Sequence, residues 1–205
     1  MSSLTSQSGY HHGDLRNALL EAGEQLLVKR GVAALSLREV AKLAGVSHAA
    51  PYRHFRDKAA LLRALAQSGF GRLRSDIRAA VGKIPHDPEQ KLVAAGVAYV
   101  HLAVRNPELI QLMFAAGIDR PEDEDIEQAS MAVFELLVDI IGTGIEAGVF
   151  RDRGARELAL VAWTSMHGMA MLLAARLMGA NVEDDEALDR MVRSVALNVI
   201  YGISR

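Results

Sequence analysis

The stretch LREVAKLAGVSHAAPYRHF occupies residues 37–55 and decides the fold of the first part of the chain. Four of its apolar residues recur at the spacing of one buried helix face: Leu37, Val40, Ala41 and Ala44. Gly45 can adopt the positive φ of a tight turn, and Ser47 is placed to cap a following helix. The stretch therefore predicts two helices joined by a sharp turn, a helix-turn-helix, although any hairpin of two helices requires a glycine turn.

The whole chain of 205 residues is expected to be all-α, with about nine helices. Ala, Leu, Glu and Arg dominate, and Gly or Pro recurs at helix-length intervals. The first helix is expected to begin at Asp14 and to end before Gly31. The later helices should cover about residues 36–45, 48–54, 57–80, 88–105, 107–116, 122–148, 154–178 and 185–203.

Charge is distributed unevenly along the chain, whose overall formal charge is −2. Residues 1–80 contain 12 Lys and Arg against 6 Asp and Glu, whereas residues 81–205 contain 11 against 19. We therefore divide the chain into a basic domain of residues 1–80 and an acidic domain of residues 81–205. A basic domain favours a polyanionic partner such as nucleic acid, with accidental clustering of charge as the alternative.

Composition excludes several classes of site. Cysteine is absent, which rules out disulfides, thiolate zinc sites and cysteine nucleophiles. No signal peptide is recognisable in the sequence, so a cytoplasmic protein is expected. Residues 158–175 lack charge, but their polar residues favour burial within the protein over a membrane. The acidic clusters at 122–125 and 183–186 stand where helices begin, so no metal and no cofactor are predicted.

A second motif follows the predicted turn. Tyr52-Arg53-His54-Phe55, then Asp57-Lys58 and Leu61-Leu62, closely resemble the signature of the TetR family of bacterial transcriptional repressors. The resemblance covers about residues 12–70 without a gap. Further along, Trp163 with His167-Gly168 is similar to the Trp-His-Gly (WHG) pattern of one type of C-terminal regulatory domain in that family.

The resemblance implies a three-helix DNA-binding domain joined by a fourth helix to a helical ligand-binding and dimerisation domain. It implies a homodimeric transcriptional regulator rather than an enzyme, namely a repressor that a small molecule releases from a palindromic operator. The implied partners are double-stranded DNA with an inverted repeat, a second copy of the chain and an apolar or aromatic effector, with no membrane.

Carried onto this sequence, the family pattern assigns DNA contacts to residues around the turn. They are Ser36, Arg38, Ser47, His48, Ala49, Ala50, Tyr52, Arg53, His54 and Lys58. Pro51 departs from a regular recognition helix, because it lacks the N–H that would bond the Ser47 carbonyl. We therefore expect a distorted first turn of the recognition helix and few direct base contacts. Recognition of DNA should then depend more on His48, Tyr52 and DNA shape.

The last helix carries a regular apolar stripe, which together with the charge-free helix before it predicts half of a four-helix dimer interface. A monomer core is the alternative. The residues assigned to this interface are Met166, Met169, Leu188, Met191, Val192, Val195, Val199 and Ile203.

Apolar and polar-aromatic side chains are candidates for an effector pocket, although such side chains also build ordinary cores. They are Phe70, Leu73, Tyr99, Met113, Phe114, Phe134, Trp163 and His167. His167 is interpreted either as a hydrogen-bonded core histidine or as a group that recognises ligand. Two other functions stay open: a DNA-binding regulator without ligand, and a small helical enzyme that pairs His101 or His167 with a carboxylate.

Overall fold

The fold is described from a computed structural model, which covers residues 12–115, 124–179 and 182–203. Every regular element within those ranges is a helix, which confirms the all-α class. In chain order the elements are α1 (His12–Ala34), α2 (Leu37–Leu43), a 3₁₀ helix (Pro51–Arg53), α3 (Lys58–Val81), α4 (Pro88–Arg105), α5 (Pro107–Phe114), α6 (Glu124–Glu146), α7 (Ala155–Ala174) and α8 (Asp185–Ile203).

Proline and glycine set several helix ends. Pro88 and Pro107 are the first residues of α4 and α5, positions where the missing N–H has no intrahelical partner to lose. Asp87 caps α4, because its Oδ1 accepts a hydrogen bond from the Gln90 N–H at 2.9 Å. Gly31 interrupts α1 with φ 71° and ψ 175°, so the helical path breaks where the sequence predicted the first helix to end.

The chain forms two compact units that divide between Leu65 and Ala66. The predicted domain boundary at 80/81 lies later, because it was placed at the end of the fourth predicted helix. In the structure α3 continues across the division, and its residues beyond Leu65 belong to the second unit. The first unit is built on buried apolar side chains of α1, α2 and the start of α3, among them Leu19, Val40 and Leu61.

The second unit is organised around α4, which packs against α6, α7 and α8, and α7 also packs against α6 and α8. Two of the described helices, α6 and α7, have the length and apolar composition that a membrane-crossing helix needs. The charge-free segment of α7 was expected to be buried within the protein rather than in a membrane. One face of it is, including Ala159, Met166 and Ala170, whereas Leu160 and Leu172 are exposed.

Two helices of the second unit end in the same hydrogen-bonded turn with different residues at its critical position. After α6, Gly148 has φ 72°, and its N–H donates to the Ile145 carbonyl at 2.9 Å. After α7, the equivalent position is held by Arg176 with φ 57°, whose N–H donates to the Leu173 carbonyl at 2.9 Å. A side chain is disfavoured in this left-handed conformation, because its Cβ crowds the following carbonyl.

We expect Arg176→Gly to raise the free energy of unfolding by about 0.5–1 kcal/mol, because relief of the left-handed conformation exceeds the added entropy of the unfolded chain. Gly148→Ala is the matched control and should lower it by about 1 kcal/mol. No atom lies within 4 Å of a Cβ added at Gly148, so that change is conformational rather than steric. Urea denaturation of both variants measures the two shifts, and equal signs would contradict the assignment.

Candidate nucleic-acid interface and aromatic cluster

The predicted turn of the helix-turn-helix is present. Ser36 caps α2, because its Oγ accepts a hydrogen bond from the Glu39 N–H at 3.2 Å. At the other end Gly45 has φ 69°, and the Val46 N–H donates to the Ala41 carbonyl at 3.0 Å. This 6→1 bond defines a Schellman turn, which ends the helix and redirects the chain. Arg38 is exposed on α2.

The recognition segment, which we define as residues 46–56, corrects one prediction. A helix over about 48–54 was expected, but the described backbone has turns at 48–50 and a single 3₁₀ turn at Pro51–Arg53. Pro51 explains this difference, since it cannot donate to the Ser47 carbonyl. That carbonyl accepts instead from the Ala50 N–H at 3.0 Å, an i→i+3 bond that tightens the chain.

Most residues assigned to DNA in this segment lie at the surface. Tyr52 exposes 60% of its area, and the other exposed ones are Ser47, His48, Ala49 and Arg53. Ala50 and His54 are half-buried. Phe55 is 2% exposed with the Arg16 guanidinium 5.7 Å from its ring centre, so it anchors the segment to the core. The segment contains no Asp or Glu, but its last residue, Arg56, pairs with the following Asp57, because the Arg56 Nε donates to the Asp57 Oδ2 at 3.1 Å.

The start of α3 is fixed by two charged residues. The Asp57 Oδ1 accepts a hydrogen bond from the Ala60 N–H at 2.8 Å, and this bond, with a smaller contribution from Arg56, lowers the pKa of Asp57. The Lys58 ammonium donates to the Val32 carbonyl at 2.8 Å. Lys58, which the family pattern assigns to DNA, therefore holds the end of α1, where carbonyl groups lack intrahelical partners.

The residues assigned to an effector are brought together in the second unit as an aromatic cluster, which consists of Phe70, Tyr99, Phe114, Phe134, Trp163 and His167. Tyr99 and Trp163 stack with ring centres 5.6 Å apart, and Phe114 lies 4.5 Å from the His167 ring. Such offset and edge contacts are favourable between aromatic rings. The other two assigned residues, Leu73 and Met113, are fully buried.

A polar pair lies inside this cluster. The Tyr99 hydroxyl and the His167 Nδ1 are 2.6 Å apart. Burial raises the pKa of Tyr99 and lowers the pKa of His167, so both groups are neutral near pH 7. The protonated phenol therefore donates, Nδ1 accepts, and the imidazole proton resides on Nε2.

A small apolar cavity adjoins the cluster. Its volume is about 30 Å³, and Tyr99 and Trp163 line it with nine further residues: Ile77, Leu92, Ala95, Gly96, Leu137, Ala162, Met166, Ala196 and Val199. About one water molecule fits in such a volume. Of the eight residues assigned to the effector, Tyr99 and Trp163 line this cavity, and the other six do not.

Comparison with family models decides the relationship of the chain. Residues 19–65 match the model described as "Bacterial regulatory proteins, tetR family", and residues 92–195 match "Tetracyclin repressor-like, C-terminal domain". The second match alone covers about half of the 205 residues. The chain belongs to the TetR family. Both models describe regulatory proteins, and neither describes an enzyme.

Individual relatives agree with this membership. The chain is 46% identical over 55 residues to the HTH-type transcriptional regulator TtgR of Pseudomonas putida, covering 27% of this chain and 26% of TtgR. It therefore spans about a quarter of the length of that relative. A solved protein of unknown function from Rhodococcus sp. RHA1 is 38% identical, with a TM-score of 0.83 and coverage of 97% of this chain and 100% of the other.

Four of the eight residues assigned to a TetR-type dimer interface are buried within a single chain, contrary to that assignment. Met166, Met169, Leu188 and Val192 are at most 8% exposed within a single chain, so they pack inside the second unit and present no surface to a second copy. Met191, Val195 and Val199 are half-buried, and the side chain of Ile203 lies outside the described part. The apolar side chains that α7 and α8 leave exposed are Leu160, Val161, Leu172, Leu197 and Tyr201.

His101, named in the enzyme alternative, forms a contact between helices. Its Nε2 lies 2.6 Å from the Asp189 Oδ1, and the neighbouring Arg105 bonds Asp185 at 2.8 Å. These pairs join α4 to α8 along one side of the second unit. In a regulatory family they are interpreted as contacts that fix the last helix against α4 rather than as a catalytic pair.

Sequence reasoning missed the small residues that create the cavity, chiefly Ala95, Gly96 and Ala162. At Gly96 an added Cβ would lie 3.0 Å from the Met166 Sδ, so this close approach favours glycine. Gly69 is similar: a Cβ there would lie 2.6 Å from the Met113 Sδ. This contact shows that Gly69 serves close packing of α5 on α3.

We expect His167 to make stability depend on pH. Its pKa is lowered from 6.5 in the folded chain, so the unfolded chain binds more protons, and the contribution of His167 is complete above about pH 6.5 and lost below it. His167→Gln keeps an acceptor for the Tyr99 hydroxyl but does not titrate. Urea titrations at pH 7.5 and at pH 5 should show a smaller fall in unfolding free energy for the variant. Equal falls would contradict the assigned burial.

Proposed function

We propose that this protein is a homodimeric DNA-binding transcriptional repressor of the cytoplasm, which a small apolar or aromatic molecule releases from an inverted-repeat operator. The observation that carries the DNA-binding part is the recognition segment. It follows a Schellman turn, exposes Tyr52, His48 and Arg53, and contains no carboxylate. Segments of this kind enter the major groove in helix-turn-helix proteins.

The shape of the recognition segment indicates how DNA would be bound. A single 3₁₀ turn presents few side chains to base edges, and the methyl group of Ala49 is suited only to a thymine methyl. Exposed His48 would read a base, while Tyr52 and Arg53 would supply contacts to phosphate. Affinity would then depend strongly on salt, and specificity partly on DNA shape.

The homodimer is supported by an apolar surface on the last two described helices. Leu160 and Leu172 of α7 are 55% and 45% exposed, and Tyr201 of α8 is 71% exposed. The intervening residues Thr164 and Gly168 carry no charge and are exposed as well. An uncharged exposed face of this kind on α7 is stabilised by burial against a symmetric copy of itself.

Selection of sites from random duplex DNA should return inverted repeats, because two recognition segments related by two-fold symmetry read two half-sites. The expected separation of the half-sites is about 34–36 Å, one helical turn. Direct repeats or isolated half-sites would contradict the proposal.

A pair of variants tests whether the apolar surface forms the dimer, with Leu172→Glu as the disruptive change and Val28→Glu as its control. Leu172→Glu places a charge there and should produce monomers in sedimentation and a large loss of operator affinity. Val28→Glu alters an exposed apolar residue of α1, which is 47% exposed, and should leave the dimer intact.

Release by an effector is supported by the aromatic cluster. Its cavity of about 30 Å³ cannot hold an aromatic molecule, so binding requires displacement of side chains. Phe70 and Ile77 of α3 are among the side chains at the cluster and cavity, and α3 begins at Lys58, next to the recognition segment. A ligand that prefers the displaced arrangement by about 1.4 kcal/mol would weaken DNA binding tenfold.

The same small cavity favours a second candidate function, a DNA-binding regulator that responds to no ligand. In that case the aromatic cluster is solely a core, in which Tyr99 and His167 satisfy one another. The two candidates differ in whether a small molecule and DNA affect each other's binding.

Linkage requires that operator DNA weaken effector binding by the same factor by which the effector weakens DNA binding. Trp163 is the single tryptophan of the chain and lies in the cluster, so its fluorescence reports small aromatic ligands directly. We expect an effector found in such a screen to bind more weakly in the presence of operator DNA. If every compound that binds is unaffected by DNA, the ligand-independent candidate is correct.

A further inference from the structure

A second, larger cavity of about 530 Å³ opens in the second unit, next to the cavity of the aromatic cluster. We call it the basic cleft, and its walls are the end of α3, the loop to α4, the start of α4 and one face of α6. The residues that line it are Ile77, Arg78, Val81, Gly82, His86, Pro88, Lys91, Leu136, Asp139, Ile140, Thr143 and Ala147. Its volume is in the range of sites that hold small molecules.

The polar side chains of the cleft are mostly basic. Arg78, His86 and Lys91 line it from three different elements, and Asp139 is its only carboxylate. Within the described residues none of the three basic side chains forms a hydrogen bond or an ion pair. Basic groups collected in a concave surface raise the local concentration of anions.

The remaining walls are apolar. Val81, Pro88, Leu136 and Ile140 face the cleft, and Ile77 lines both the basic cleft and the cavity of the aromatic cluster. A simple inorganic anion would leave this apolar surface exposed to water, whereas a purely apolar molecule would leave the cations unpaired. Only a molecule that has an anionic head and an apolar tail pairs with the basic groups and also covers the apolar walls.

We propose that the basic cleft binds an amphipathic anion, a carboxylate or a phosphate with an apolar tail. The head contacts Arg78 and Lys91, and the tail lies along Val81 and Ile140 toward Ile77. This site differs from the aromatic cluster to which the effector is assigned above. It includes no residue of α7, α8 or the recognition segment, so binding is measurable on the free protein without DNA.

Isothermal titration calorimetry with four molecules of equal tail length tests the proposal: octanoate, octyl phosphate, octanol and octylamine. We expect at least one of the two anions to bind, and octanol and octylamine to bind at least about tenfold more weakly, a difference of about 1.4 kcal/mol. Binding of octanoate alone identifies a carboxylate head, and binding of octyl phosphate alone identifies a phosphate head.

Variants locate the site. The double change Arg78→Gln with Lys91→Gln should weaken the bound anion by at least about tenfold. Lys83→Gln is the matched control, because Lys83 is an exposed cation of the same loop that does not line the cleft, and it should leave affinity unchanged. Asp139→Asn should strengthen anion binding by a few-fold, because it removes a repulsive charge.

Three results would overturn the proposal: no binding by either anion, binding of octylamine as tight as that of the anions, or an unchanged affinity in the double variant. An equal loss in the Lys83 control would also overturn it, since it would show attraction by the net charge of the surface rather than by the cleft. Failure of the operator selection leaves these measurements valid, because they contain no DNA.

Discussion

One helix has to supply apolar side chains to two separate cores. α3 buries Leu61 and Leu65 in the first unit and Phe70, Leu73 and Ile77 in the second. A helix is stiff along its axis, because every interior N–H is bonded four residues back. The recognition segment leads into α3, the aromatic cluster includes its Phe70, and the basic cleft lies against its last turns. Each of these three features therefore includes or adjoins residues of α3.

The Tyr99–His167 pair shows how a polar contact is tolerated among aromatic rings. The buried Tyr99 hydroxyl, left without a partner, would carry the cost of an unsatisfied buried donor. Together they satisfy one another at 2.6 Å, and burial keeps both neutral. Separation of the two groups would remove this hydrogen bond. The pair is thus a packing element of the second unit.

The uncharged α7 helix illustrates why composition alone does not identify an interface. Its residues are apolar on nearly every side, so no stripe distinguishes the core face from the exposed face. The fold resolves this by placing Ala159, Met166 and Ala170 against neighbouring helices and leaving Leu160 and Leu172 outside. The methionines assigned to the dimer from sequence belong to the first group. The exposed second group is the surface on which the proposed dimer depends.

Local sequence by itself determined the helices, the Schellman turn at Gly45 and the distortion at Pro51, because each depends on backbone chemistry within a few residues. The signature from Tyr52 to Leu62 was likewise sufficient to indicate the family. Tertiary structure alone decided which apolar residues are buried, how small the cavity beside Trp163 is, and that Arg78, His86 and Lys91 meet in one cleft. These properties depend on which helices pack together, and a pattern of spacing within one helix contains no information about the residues that other helices bring to it.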